Sequence, residues 1–275
     1  MLVVPRKTSH TPSHAHVGYP DLWSPKHVDI DISVVFTWDK PKAENMKQAW
    51  ESYGCRVSIG GPAYEDPGGE FTPGKYTKIG ITYTSRGCNR QCPWCYVPVR
   101  EGKIRELKTI HVGNVLQDNN LLMCSRSHQE KVFAMLKTQH AIRFSGGIDA
   151  RMLTDWHIER FKGMKINEIW LAADHVDSLS YTLRAIKSLV SAGFSRNKIR
   201  CYVMVGYGQE TMSYAEERLR NVYLAGALPF AQLYDRVLDK KPWNKLVRTW
   251  SRPAAIKTLM KNKEIKPWLK RSRLN

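Results

Sequence analysis

Three of the chain's six cysteines stand within eight residues, in Cys88-Asn89-Arg90-Gln91-Cys92-Pro93-Trp94-Cys95, a C-x3-C-x2-C spacing. Six cysteines in 275 residues are too few for a disulfide scaffold. In a reducing compartment, thiols crowded in this way are more often a metal site than a set of disulfides. Three thiolates on one short loop can each hold one iron of a cubane cluster, which leaves the fourth iron without a protein ligand. Structural zinc is the competing reading, but it wants four ligands, usually as two separated pairs. No second Cys or His pair follows at that spacing, although His111 and His128 are lone candidates. Cys55, Cys124 and Cys201 are scattered and read as small buried apolar residues.

From residue 78 onward, short apolar runs alternate with amphipathic helical patterns. Strands are expected at residues 78–83, 115–118, 141–144, 168–172, 199–205 and 228–234. Helices are expected at 127–139, from about 150, at 178–192 and at 210–225. Six strands alternating with helices imply parallel pairing and right-handed crossovers, hence a barrel or a doubly wound sheet. In such architectures chemistry gathers at the carboxyl ends of strands. The cysteine loop, Ser145-Gly146-Gly147, Asp174 and the segment around Gly206 all follow expected strands, as do Asp118, Asn119 and Asn120.

A C-x3-C-x2-C loop followed by an aromatic residue at the end of a strand resembles the radical S-adenosylmethionine (SAM) superfamily. The resemblance implies a partial (β/α)6 barrel, one [4Fe-4S] cluster ligated by Cys88, Cys92 and Cys95, and SAM bound at the open iron. It also implies an enzyme in which a delivered electron cleaves SAM to a 5'-deoxyadenosyl radical that removes a substrate hydrogen. The electron would come from a reductant protein such as flavodoxin or ferredoxin. Tyr96 would sit near the adenine, and Ser145, Gly146 and Gly147 correspond to the glycine-rich motif that approaches the SAM amino group. Here Ile148 replaces that motif's acidic residue and Asp149 comes one position later. Asp174 would accept the ribose hydroxyls, and Gly206 belongs to a segment like the one that packs against adenine.

The expected organisation is a flexible N-terminus over 1–28, a small α/β extension and linker over 29–76, the barrel over 77–235 and a basic helical tail over 236–275. The strand-helix-strand unit in the extension is similar to the last fragment of the Rossmann-like domain of cobalamin-dependent relatives. It has no D-x-H-x-x-G segment to ligate cobalt. With 42% hydrophobic and 25% charged residues the chain can bury a core. No apolar run approaches the roughly 20 residues that cross a bilayer, and the N-terminus lacks an apolar signal region. A cytoplasmic location, away from membranes, is expected.

The net charge is +18, and residues 236–275 supply 13 basic side chains against Asp239 and Glu264, which is +11 of that total. Trp243, Trp250 and Trp268 interleave these charges. The tail could therefore lie along nucleic-acid phosphates while its indoles stack on bases, or be a solvated amphipathic helix pair. From a different class of function, the chain could be a non-catalytic metal- or Fe-S-containing nucleic-acid-binding protein.

Overall fold

The computed structural model describes residues 1–234 and 240–261. The chain divides into two compact units, Met1–Ile169 and Trp170–Asn275, each a mixture of helices and parallel strands.

The first unit opens with β1 (Leu2–Val4), β2 (His16–Val17), β3 (Asp29–Ser33), α1 (Lys40–Ser52) and β4 (Arg56–Gly60). The strands form a parallel sheet in the order β2-β1-β3-β4. Alternation along β3 turns Ile30 and Ile32 inward, each 1% exposed. On α1, Ala43, Met46 and Trp50 recur at helical spacing and bury one face against that core. The Trp50 indole N–H is satisfied by the Gly18 carbonyl at 3.1 Å. The first 28 residues, expected to be flexible, instead supply two of the four strands, and Val3 in β1 is fully buried between its neighbours. The extension is thus a four-stranded sheet rather than one strand-helix-strand fragment.

The unit continues with β5 (Ile81–Thr82), β6 (Ser85–Arg86), α2 (Val97–Arg100), β7 (Arg105–Glu106), β8 (Val115–Leu116), α3 (Arg126–Lys137), β9 (Ile142–Ile148), α4 (Asp155–Lys162) and β10 (Ile166–Ala172), which runs past the boundary. Strands β5, β8 and β9 pair in parallel, whereas β6 and β7 form an antiparallel ribbon. The ribbon was not expected. Val132, Phe133 and Leu136 are buried on α3, and Phe133 and Phe144 pack on Phe161 of α4. Helix α4 begins five residues later than expected, where Thr154 and His157 complete a reciprocal capping box.

The second unit holds α5 (Val176–Ser191), β11 (Ile199–Val205), α6 (Met212–Ala225), β12 (Leu228–Leu233), α7 (Lys240–Trp250) and α8 (Pro253–Lys261). Strands β11 and β12 pair in parallel from Arg200↔Leu228 to Val205↔Leu233. Helix α6 stops at Gly226, whose φ of +113° is left-handed and whose absent Cβ would meet Val190 Cγ2 at 2.7 Å. Trp243, Leu246 and Trp250 of α7 are buried. Two of the three tail indoles are therefore core residues rather than stacking platforms, and Trp268 lies outside the described residues. Among the described residues no helix is long and apolar enough to cross a membrane.

Candidate functional site

The cysteine loop is held by its two ends. Beyond β5, the Thr84 N–H donates to Asp118 Oδ1 at 2.6 Å, and the Thr84 and Ser85 hydroxyls both donate to Asp118 Oδ2. Asp118, just past β8 and 2% exposed, so clips the chain at the point where it enters β6. Burial pushes its carboxyl upward, and those hydrogen bonds pull against the rise. The β6–β7 ribbon then closes the base of the loop. Gly87 has φ +78°, and a Cβ there would lie 2.2 Å from the Lys103 carbonyl, so only glycine permits the crossing. The closure continues through Cys88 N–H to the Gly102 carbonyl at 3.0 Å, Ile104 N–H to Asn89 Oδ1 at 3.0 Å and Gly87 N–H to Glu101 Oε2 at 3.2 Å.

Between these ties stand the three thiols, all partly exposed, whereas Cys55, Cys124 and Cys201 are buried. The Cys95 N–H donates to the Cys92 carbonyl at 2.9 Å, which turns the chain into α2, and Tyr96 caps that helix at 51% exposure. Two N–H groups point at Cys88 Sγ, the backbone of Arg90 at 3.4 Å and the amide of Asn120 at 3.6 Å. The same amide donates to Asp149 Oδ2 at 3.3 Å. Asp149 also receives Arg90 Nε at 3.0 Å and Arg151 Nε at 2.7 Å. Burial raises the Asp149 carboxyl, but the hydrogen bond and charge of Arg151, then Arg90, outweigh it and hold the group below its ordinary value. Arg151 in turn lies in the field of Cys92 and Cys88. A cleft of about 360 Å³ opens beside Cys88, lined by Asn89, Gln91, Pro98, Gly102 and Lys103.

The sequence reading placed Ser145-Gly146-Gly147 after the third expected strand, but all three lie inside β9, which runs to Ile148. The two glycines differ in cause. A Cβ on Gly146 would sit 2.1 Å from the Asp118 carbonyl, so this glycine lets β9 approach the chain beyond β8. Gly147 has φ +100° with no atom within 4 Å of the missing Cβ, so its backbone angle rather than a close neighbour calls for glycine. Asp149, Asn120 and the cysteine loop are brought together. Arg90, Arg151 and Glu101 complete the arrangement, and sequence reasoning passed them over; the only available signal was that Arg90 lies between two cysteines and Arg151 two places after Asp149.

Asp174 and Gly206 belong to the second unit. There Asp174 Oδ1 accepts from Met204 N at 3.2 Å, and the Gly206 N–H donates to Glu210 Oε2 at 2.9 Å. Glu210 pairs with the buried Arg218 at 2.7 Å, and Arg218 also donates to the Asp174 and Met204 carbonyls. Burial raises the Glu210 carboxyl against the opposing pull of Arg218.

Among the described residues no three His, Cys, Asp or Glu side chains converge as ligands of a single metal ion. A cubane asks for something else, since each thiolate takes a different iron. Three thiols on one anchored loop, with N–H donors at Cys88 and the Arg151 guanidinium in the field of Cys88 and Cys92, fit the chemistry such a cluster asks of a protein. No known protein family and no curated protein matches the chain.

Proposed function

We propose that the chain is a radical SAM-type enzyme in which Cys88, Cys92 and Cys95 hold one [4Fe-4S] cluster and SAM occupies the open iron, on a partial (β/α)6 barrel. The observation that carries this is the anchored C-x3-C-x2-C loop with Asn120 and Arg90 donating to Cys88 Sγ beside the Asp149 carboxylate. When bound, the cluster supplies a low-potential electron for cleavage of the SAM sulfonium, which yields a radical able to remove hydrogen from an unactivated C–H bond.

The chain's own residues do the rest. The three thiolates bind, and the N–H groups of Arg90 and Asn120 stabilise the negative charge on Cys88. Asp149 fixes Asn120 and Arg90 and offers a carboxylate one position beyond the motif's acid. Gly147 and Tyr96, the latter exposed at the cap of α2, take the SAM amino-group and adenine contacts that the resemblance implies. The resemblance implies ribose and adenine contacts for Asp174 and Gly206. The basic C-terminal region favours a nucleotide or nucleic acid as substrate, a flavodoxin or ferredoxin is the expected reductant, and the thiols suit a reducing cytoplasm.

Anoxically purified protein tests the reading. Iron and sulfide analysis should give one cluster, its electron paramagnetic resonance should change on adding SAM, and dithionite should drive formation of 5'-deoxyadenosine and methionine. A mononuclear metal, or a cluster indifferent to SAM, would sink it. The second reading, a non-catalytic nucleic-acid-binding protein, draws on the exposed cations of α7 and α8 and predicts metal retention with no release of 5'-deoxyadenosine.

A further inference from the structure

Between Lys240 and Lys261 stand seven cations, Lys240, Lys241, Lys245, Arg248, Arg252, Lys257 and Lys261, and no Asp or Glu. All seven are exposed. Lys241, Lys245 and Arg248 follow one another at i, i+4 and i+7 along α7 and so form a single stripe, about 10 Å long at 1.5 Å per residue. The opposite side of the helix pair is committed to the interior: Trp243 is 9% exposed, Leu246 7%, Trp250 1% and Ile256 0%.

That division decides between polyanions. A helix that binds a lipid surface lays an apolar face into the headgroup boundary, and here the apolar face is already buried. A groove for single strands needs exposed aromatic rings on which bases stack, and Trp243 and Trp250 are inside. What remains outside, among the described residues, is mainly a row of cations spaced along α7 and α8, the complement of a regular phosphate backbone. We propose that the outer face of α7 and α8 docks the phosphate backbone of a double-stranded nucleic acid without regard to base sequence. The inference is independent of the chemistry proposed above, because binding is read on the protein with or without iron.

The test uses the full chain and a fluorescent mixed-sequence DNA duplex, with anisotropy followed from about 50 to 200 mM salt. The duplex should bind, with log affinity falling linearly against log salt. K245E/R248E should reduce that slope by about 2 and weaken low-salt affinity at least about tenfold. If circular dichroism shows that this variant loses helix, K245Q/R248Q replaces it and should still reduce the slope by about 2. A duplex affinity with no salt slope would overturn the proposal, as would an unchanged slope in a folded variant. Tighter binding to a single strand of the same sequence would do so too, and so would capture by phosphatidylserine vesicles in place of the duplex.

Discussion

Asn120 has an amide whose N–H groups reach Cys88 Sγ and Asp149 Oδ2, and its Oδ1 is buried without a hydrogen-bond partner among the described residues. Asp149, held below its ordinary value by Arg151 and Arg90 against the effect of burial, is ionised and can only accept. The amide orientation is therefore fixed, with nitrogen toward the sulfur. A hydrogen bond to a thiolate favours the more negative, reduced form of a cluster. Asn120→Leu should accordingly lower the reduction potential measured by redox titration and weaken iron retention about 10- to 100-fold. A potential equal to that of the unaltered protein would remove Asn120 from this role. With the proposed [4Fe-4S] cluster bound, Cys92→Ala should abolish its brown absorbance. Cys124→Ala should leave it unchanged, because burial pushes that thiol up to about 12 and keeps it protonated. Equal loss of absorbance in both would contradict the ligand assignment. The cysteines were legible because crowding is a property of sequence. Arg90 and Arg151 were not, since an arginine reads as surface charge until the fold brings a buried carboxylate to it.

Strand β9 shows how two adjacent glycines answer to different forces. Gly146→Ala would drive a Cβ to 2.1 Å from the Asp118 carbonyl and separate the chain segments that hold the loop-anchoring carboxylate. Gly147→Ala meets no atom but must keep φ near +100°, a penalty of about 1–2 kcal/mol. Urea denaturation should show the greater loss for Gly146→Ala, about 3 kcal/mol or more, because the clash is with backbone that cannot rotate away. The opposite order would mean that β9 relaxes freely. Each strand expected from residue 78 onward has an observed counterpart, because apolar runs of that kind are a local signal. The shorter elements escaped notice. Strand β1 has three residues, too few for a period, and β6 and β7 have two each, separated by the whole cysteine loop. Their pairing is fixed by Asp118, Gly87 and Glu101, contacts distant in sequence that no local pattern announces. The same gap hid how the ribbon closes the base of the cysteine loop.

At the scale of the molecule, the +18 charge is only part of the electrostatics, because several buried groups tie folding to pH. In the first unit His157 is 4% exposed. Its Nδ1 faces the Thr154 N–H at 3.1 Å and its Nε2 faces Gln129 Oε1 at 2.9 Å. Gln129 spends its own N–H groups on the Leu122 and Cys124 carbonyls, so its oxygen must accept and the ring is neutral with the proton on Nε2. Burial, then the guanidiniums of Arg126 and Arg160, push the His157 ring down to about 4. These two arginines lie 3.4 and 3.6 Å from the Trp156 ring centroid, and Arg160 also reaches Glu130 at 3.8 Å. An unfolded chain takes up the proton at the ordinary histidine value. The stability tied to the neutral ring is therefore complete above about 6.5 and is lost as pH falls toward about 4, amounting to about 3 kcal/mol. Asp118 and Glu210, both raised by burial, lean the other way: their contribution is present below the ordinary carboxyl range and is lost as pH rises through the shifted values. Comparison with His157→Gln isolates the histidine. The unaltered protein should lose stability between about pH 7 and pH 4.5 more steeply than the variant. Hydrogen exchange should place the difference at α3 and α4, where Gln129 and His157 reside, and leave β11 and β12 alike in both proteins. Parallel pH slopes in the two proteins would show that His157 takes up its proton inside the folded chain as readily as outside it.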